Sequence, residues 1–256
     1  MTELTQHVKN YWKYEYDVTT GSMVRLLDAW GMTLQGASVI DAGCAYGGCL
    51  CALHDQGARC VGFDVDDAYV SLAEQLRGDR AVTITKGDLY LDTLPFAGRQ
   101  FDLVILHDVF EHLEQKHQTL EKLKTFMKPE GRILITFPPY YSAYGAHQQH
   151  LRAPYARIPF FHLLPFALSI VVPRLRNESP NAVDEVRKLG RLKMGMRKFE
   201  RIVAEGGLRI ERTQAYLISP NHIRFGLMPV PAGPVAHVPV IRELLCTGVV
   251  YLLSKE

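Results

Sequence analysis

Between residues 37 and 137 the chain alternates short, uniformly apolar runs with longer amphipathic stretches, and this alternation limits the possible folds more than any other feature. The runs are 38–41 (SVID), 60–64 (CVGFD), 81–85 (AVTIT), 101–106 (FDLVIL) and 132–137 (RILITF). Each is too short and too apolar for a surface helix and reads as a strand buried on both faces. Residues 48–56, 66–77 and 111–127 have helical character. In the last, Leu113, Leu120, Leu123 and Met127 make one apolar stripe, stopped by Lys128-Pro129-Glu130-Gly131. Repeated units of this kind imply an α/β protein with a twisted parallel sheet and helices on both faces.

After Phe137 the pattern breaks at Pro138-Pro139-Tyr140-Tyr141 and returns at 197–205 (RKFERIVAE), a helix ended by Gly206-Gly207. Strand-like runs follow at 208–217 and 244–253. Three parts are therefore expected: an N-terminal helical cap over 1–36, a core formed by 37–138 and 197–256, and an inserted lid over 139–196. An insertion of that length carries function or structure of its own. Its apolar run 158–172 (IPFFHLLPFALSIVV) is shorter than the roughly 20 residues that span a bilayer, and reads as cap or interfacial segment.

Net charge is +2, but residues 1–151 hold 13 Lys+Arg against 19 Asp+Glu and residues 152–256 hold 16 against 8. The basic half contains Arg187, Lys188, Arg191, Lys193, Arg197, Lys198 and Arg201. Beside the apolar run, these cations suit an amphipathic substrate with an anionic group, or peripheral membrane contact through 158–201. No basic-aromatic motif or recognition helix points to nucleic acid. Five cysteines with no CxxC pair exclude a disulfide scaffold and a zinc finger, and the polar first ten residues lack a signal-peptide core, so a cytoplasmic protein is expected.

The chemistry concentrates at the strand ends. Asp41-Ala42-Gly43-Cys44-Ala45-Tyr46-Gly47-Gly48 is a glycine-rich turn between the first strand and a helix, where a ligand can approach the backbone closely. Asp64 ends the second strand, where a carboxylate can accept both hydroxyls of a ribose. In a dinucleotide-binding register the second glycine would fall at position 45. Alanine stands there, which weakens that reading.

The turn, with VGFDVD at 61–66, GDL at 87–89, FDLVI at 101–105 leading to HDVFEHL at 107–113, and KPEGR at 128–132, resembles the ordered motifs of class I S-adenosylmethionine-dependent methyltransferases. The likeness is closest to the small-molecule branch that includes quinone-biosynthesis and natural-product enzymes. It implies a doubly wound, Rossmann-like sheet of seven strands with an antiparallel final hairpin and a helical lid. It also implies S-adenosyl-L-methionine as cofactor, held by Asp41, Gly43, Cys44, Ala45, Gly47, Asp64, Val65, Asp88 and Leu89, with His107 at the end of the fourth strand facing the methyl group or the cofactor and Tyr14 or Tyr16 touching the carboxylate.

Methyl transfer from a sulfonium is an in-line displacement, so the protein must mainly position the acceptor and exclude water. A hydroxyl acceptor calls for a base, and His107, His147 and His150 are the candidates. His147 and His150 are also spaced as a metal pair, but no third ligand is identifiable, so no metal is expected. Glu111 and His112 read equally well as residues of a helix start. Transfer to carbon or nitrogen without a dedicated base, and a non-catalytic membrane-binding member of the fold, are the alternatives. Oligomeric state is not legible.

Overall fold

The computed structural model describes residues 4–91, 95–165 and 178–256, with the side chain of His150 outside that description. One sheet of eight strands organises it: β1 (Ser38–Ala42), β2 (Arg59–Asp64), β3 (Thr83–Lys86), β4 (Phe101–His107), β5 (Met127–Phe137), β6 (Leu208–Ile218), β7 (Val230–Pro231) and β8 (Gly248–Lys255). The order is β3-β2-β1-β4-β5-β8-β6-β7. The first five strands are parallel, and β8 inserts antiparallel between β5 and β6. The five buried runs thus form the parallel part as the sequence implies. The eighth strand, one more than expected, is the two-residue β7 pairing with the edge of β6.

Helices α1 (Gln6–Val18) and α2 (Val24–Ala29), joined by a π-helical turn, form the N-terminal cap. α3 (Gly48–Asp55), α4 (Asp67–Leu76) and α5 (Lys116–Thr125) cross between the parallel strands. Asp66 caps α4, its Oδ1 accepting from the Ala68 amide at 2.7 Å. α6 (Pro180–Leu192) and α7 (Met196–Glu205) close the insertion, and α8 (Pro239–Leu245) precedes the last strand. Ile40, Leu103, Val104, Ile105, Leu134 and Leu252 are fully buried in the sheet.

Four details differ from the sequence reading. The helix expected over 111–127 is split into a 3-10 turn at Phe110–His112 and α5, so Glu111 and His112 do not lie in an α-helical first turn. The Lys128–Gly131 segment lies inside β5 as an irregularity, the pairing jumping from Phe101↔Met127 to Leu103↔Arg132. Pro129 has no amide to give the ladder there. The last strand begins at Gly248, because Leu244 and Leu245 end α8. Finally, the sequence pattern placed no helix at α6 within the insertion expected to be helical; α6 buries Val183, Val186 and Leu189 against Tyr140, Leu151 and Ala156 in a small core of the insertion itself.

Of the apolar run at 158–172, residues 166–172 lie outside the described residues. The described part makes a 3-10 turn at Phe161–Leu163 rather than a long helix, with His162 buried and its Nε2 2.6 Å from the Tyr140 carbonyl. Among the described residues no helix is long and apolar enough to cross a membrane.

Candidate active site

The turn after β1 is shaped by close approach. Gly43 and Gly47 have φ of 90° and 75°, and a Cβ on Gly43 would lie 2.7 Å from Val109 Cγ2. A Cβ on Gly48 would lie 2.5 Å from the Trp12 carbonyl oxygen, so α1 rests directly on the turn. Ala45 also takes a left-handed φ, 44°, a strain a glycine would not carry. It places the Ala45 amide 2.9 Å from Asp64 Oδ2, while Asp64 Oδ1 accepts from the Asp66 amide at 3.0 Å. Asp64 is thereby fixed at the end of β2 with carboxylate lone pairs remaining for a ligand.

Two further acids converge here. Asp41 is buried, and its Oδ1 has no hydrogen-bond partner. Burial pushes its carboxyl up to about 7, with Asp64 adding to the shift and His107 opposing it. Glu15 of α1 accepts from the Gly48 amide at 3.3 Å and is also raised, by burial first and then by Asp41 and Asp64. Three carboxylates around one glycine turn favour a ligand with positive charge and disfavour a pyrophosphate.

Because the folded state holds the Asp41 proton more tightly than the unfolded chain, stability falls as pH rises from about 4 to about 7. Thermal melts of the ligand-free protein between pH 5 and pH 8 are expected to show that fall, and Asp41→Asn to flatten it. An unchanged slope in the variant would assign the effect elsewhere.

The other cofactor residues expected from sequence are spread along the same edge. Val65 is 61% exposed past the end of β2. Asp88 Oδ1 accepts from the Tyr90 amide at 2.9 Å, an Asx turn, and Leu89 beside it is buried. Cys44 is buried under the turn. The Tyr14 hydroxyl donates to the Asn221 carbonyl at 3.3 Å, whereas Tyr16 bonds Asp55 instead. Tyr11, Tyr46 and Tyr69 make successive edge contacts beside the turn.

A second group of side chains gathers above β4 and β5. Asp108, left-handed at φ 54°, accepts from the Thr136 hydroxyl at 2.7 Å and from Asn221 Nδ2 at 2.5 Å. With Tyr14 this ties α1, the ends of β4 and β5, and the segment after β6 together. Beyond it His112 stands between two acids: Nδ1 is 2.6 Å from Glu185 Oε1, and Nε2 is 3.4 Å from Glu111 Oε1. Burial opposes the charged imidazole, but Glu111 and Glu185 overcome it and hold His112 up to about 10. His147, also left-handed at φ 55°, brings its Nε2 to 3.7 Å from the same Glu111 oxygen, and its ring meets His112 edge-on at 5.2 Å. Three of the six non-glycine residues with positive φ among those described, Ala45, Asp108 and His147, thus stand at this site.

These groups line a cavity of about 270 Å³, with Tyr11, Tyr14, His222 and Arg224 on its other walls. An outer recess shares Tyr144, Gln149, His222 and Arg224 with it and continues past Arg157 to Phe225 and Leu227. His107 lines an adjoining smaller space with Met23, Phe137 and Val249, which shares Asp108, Pro138 and Asn221 with the cavity, and its Nε2 lies 3.9 Å from Asp108 Oδ2. Of the three candidate bases, the structure therefore puts His147 on the larger cavity and His107 beside Asp41. Glu111, His112 and His147 bring ligand atoms within 4.8 Å of one another, a grouping the sequence did not suggest. Sequence reasoning did not single out Asp108, Glu185, Asn221 or Arg224. Of these only Asp108 left a signal, its place in the HDVFEHL segment.

A family profile described as a methyltransferase domain matches residues 40–135. A phosphoethanolamine N-methyltransferase of Plasmodium falciparum is 30% identical over 106 residues, 40% of this chain and 39% of that protein. A ubiquinone biosynthesis O-methyltransferase of Coxiella burnetii is 23% identical over 105 residues, 41% of this chain and 45% of that protein. The chain spans about half the length, or less, of the curated relatives it matches. Among solved structures, magnesium protoporphyrin IX methyltransferase from Synechocystis PCC 6803 with bound S-adenosylhomocysteine is similar with a TM-score of 0.55 at 17% identity, over 99% of this chain and 89% of that one. That likeness is one of fold.

Proposed function

We propose that this chain, whose residues 40–135 match a methyltransferase domain, is a class I S-adenosylmethionine-dependent methyltransferase that methylates a hydroxyl of a small amphipathic molecule. S-adenosylmethionine sits across the turn after β1, its ribose on Asp64 and its adenine between Val65 and the Asp88-Leu89 segment. The cofactor supplies the sulfonium methyl, and the chain's residues bind, orient and exclude water.

The observation that carries the reading is the continuity of the polar cavity with the outer recess. The acceptor's polar head occupies the cavity beside Asp108 and His147, and its apolar part runs out past Phe225 and Leu227. Arg157 and Arg224 stand along the passage, placed for an anionic group. Ile158 and Leu164 of the lid are 56% and 42% exposed, which suits collection of such a molecule at a lipid surface. The acceptor hydroxyl gives up its proton beside the Glu111–His112–His147 cluster. Residues 139–196 act as the lid, and 1–36 as the cap that closes on the cofactor.

Calorimetric titration with S-adenosylhomocysteine tests the reading, with one site per chain expected. Binding of NAD in its place by a folded sample would refute it. Methyl transfer from labelled S-adenosylmethionine to hydroxylated amphiphiles, with no transfer to their O-blocked analogues, identifies oxygen as the acceptor atom.

A further inference from the structure

We propose that Glu111, His112 and His147 bind a divalent transition-metal ion at the wall of the acceptor cavity, with Glu185 orienting His112 from behind. The first support is an unmet demand. Glu111 is 1% exposed, and its carboxylate makes no well-formed hydrogen bond: its partners His112 Nε2 and His147 Nε2 stand 3.4 Å and 3.7 Å from Oε1. A buried carboxylate held only by such long contacts has room for a bridging cation.

The second support is spacing. The Glu111 oxygen lies 3.4 Å and 3.7 Å from the Nε2 atoms of His112 and His147. The edge of a tetrahedron with metal–ligand bonds of about 2.1 Å is about 3.4 Å. The third is the surroundings of His112. Its Nδ1 faces Glu185 Oε1 at 2.6 Å, so the carboxylate fixes the tautomer that presents Nε2 to the ion, as the outer carboxylate of a metal-bound histidine does. Binding displaces the proton that Glu111 and Glu185 otherwise hold on His112, and the two carboxylates and two neutral imidazoles then leave a charge that one divalent cation cancels.

Two histidines and one carboxylate satisfy three positions and leave the rest open, as at catalytic rather than structural zinc sites. The opening faces the cavity that His112 and His147 line. The consequence for turnover rests on the hydroxyl-methylation reading above. An acceptor hydroxyl in the open position is acidified by the ion, and its proton passes to solvent. The oxygen then forms its bond to the sulfonium methyl carbon while the carbon–sulfur bond breaks, the electron pair staying on sulfur in neutral S-adenosylhomocysteine.

The test is metal binding read without turnover. Chain dialysed against chelator is titrated calorimetrically with Zn²⁺ and with Mn²⁺, and the Co²⁺-loaded protein is examined by visible absorption. One ion per chain is expected, with affinity falling at least about 100-fold in Glu111→Gln and in His147→Ala and about 10- to 100-fold in Glu185→Gln. The Co²⁺ bands should shift in His147→Ala. S-adenosylhomocysteine affinity, unchanged in all three variants, shows that they fold. Absence of binding in the wild type, or binding indifferent to these substitutions, overturns the site and leaves His112 as an imidazolium paired with two carboxylates. A wild-type chain that binds S-adenosylhomocysteine but no metal refutes this inference alone. Metal binding in a protein that takes no S-adenosylhomocysteine refutes the methyltransferase reading instead.

Discussion

Asp64→Ala is expected to weaken S-adenosylhomocysteine binding roughly 100-fold or more, because charge-assisted hydrogen bonds to a ribose are each worth about 1.5–3 kcal/mol. The same carboxylate holds the turn, accepting from the Ala45 and Asp66 amides. The substitution therefore also lowers the melting temperature, and affinity must be measured well below it. Asp64→Asn separates the two contributions. Its amide oxygen can still accept from the turn, but the charge is gone, so it should recover part of the stability and little of the affinity. If Asp64→Ala binds as the wild type does, the ribose is not held at the end of β2 and the cofactor placement is wrong.

The second large effect is expected at His147. His147→Ala should lower kcat by about 10²- to 10⁴-fold, the range for removing a group that handles a proton in the transition state. S-adenosylhomocysteine affinity should stay within twofold of wild type, because His147 lines the acceptor cavity and stands away from the turn after β1. His107→Ala gives the contrast. It interacts with the raised Asp41 carboxyl as well as lying 3.9 Å from Asp108, so its removal should change cofactor affinity, which loss of His147 should not. A kcat that survives loss of His147 would favour methylation at carbon or nitrogen, where no proton need leave first.

How much of this was legible in sequence follows from the range of the interactions involved. β1 to β5 were readable because a strand covered on both faces must be apolar throughout and must end at Gly, Pro or Asp. The turn after β1 and Asp64 were readable for the same reason, since their geometry lies within one βα unit. α6 was not, because its three buried residues recur only every third position among polar ones, and their partners Tyr140 and Leu151 come from the far end of the insertion. Leu244 and Leu245 were misread as strand for want of context. They are 39% and 48% exposed at the end of a short helix begun by Pro239.

The acceptor site was the least legible part. Glu111 and His112, His147, Glu185 and Asn221 come from four segments that meet only when β4, the lid and the stretch after β6 are packed. Sequence adjacency suggested pairing His147 with His150. In the fold His147 faces Glu111, on a left-handed backbone that no propensity signals for histidine.

The eighth strand has a bearing on self-association. A sheet that stopped at β6 would present a long row of unpaired amides and carbonyls, a template for a second chain. Val230–Pro231 pairs with Tyr216 and Ile218 there, and proline has no amide to offer a newcomer. At the opposite margin β3 has only four residues, with exposed Lys86 at its end. Both margins of the sheet thus end in short strands that shorten the template open to a partner strand, while Phe225, Leu227 and Met228 stand open to solvent beyond β6.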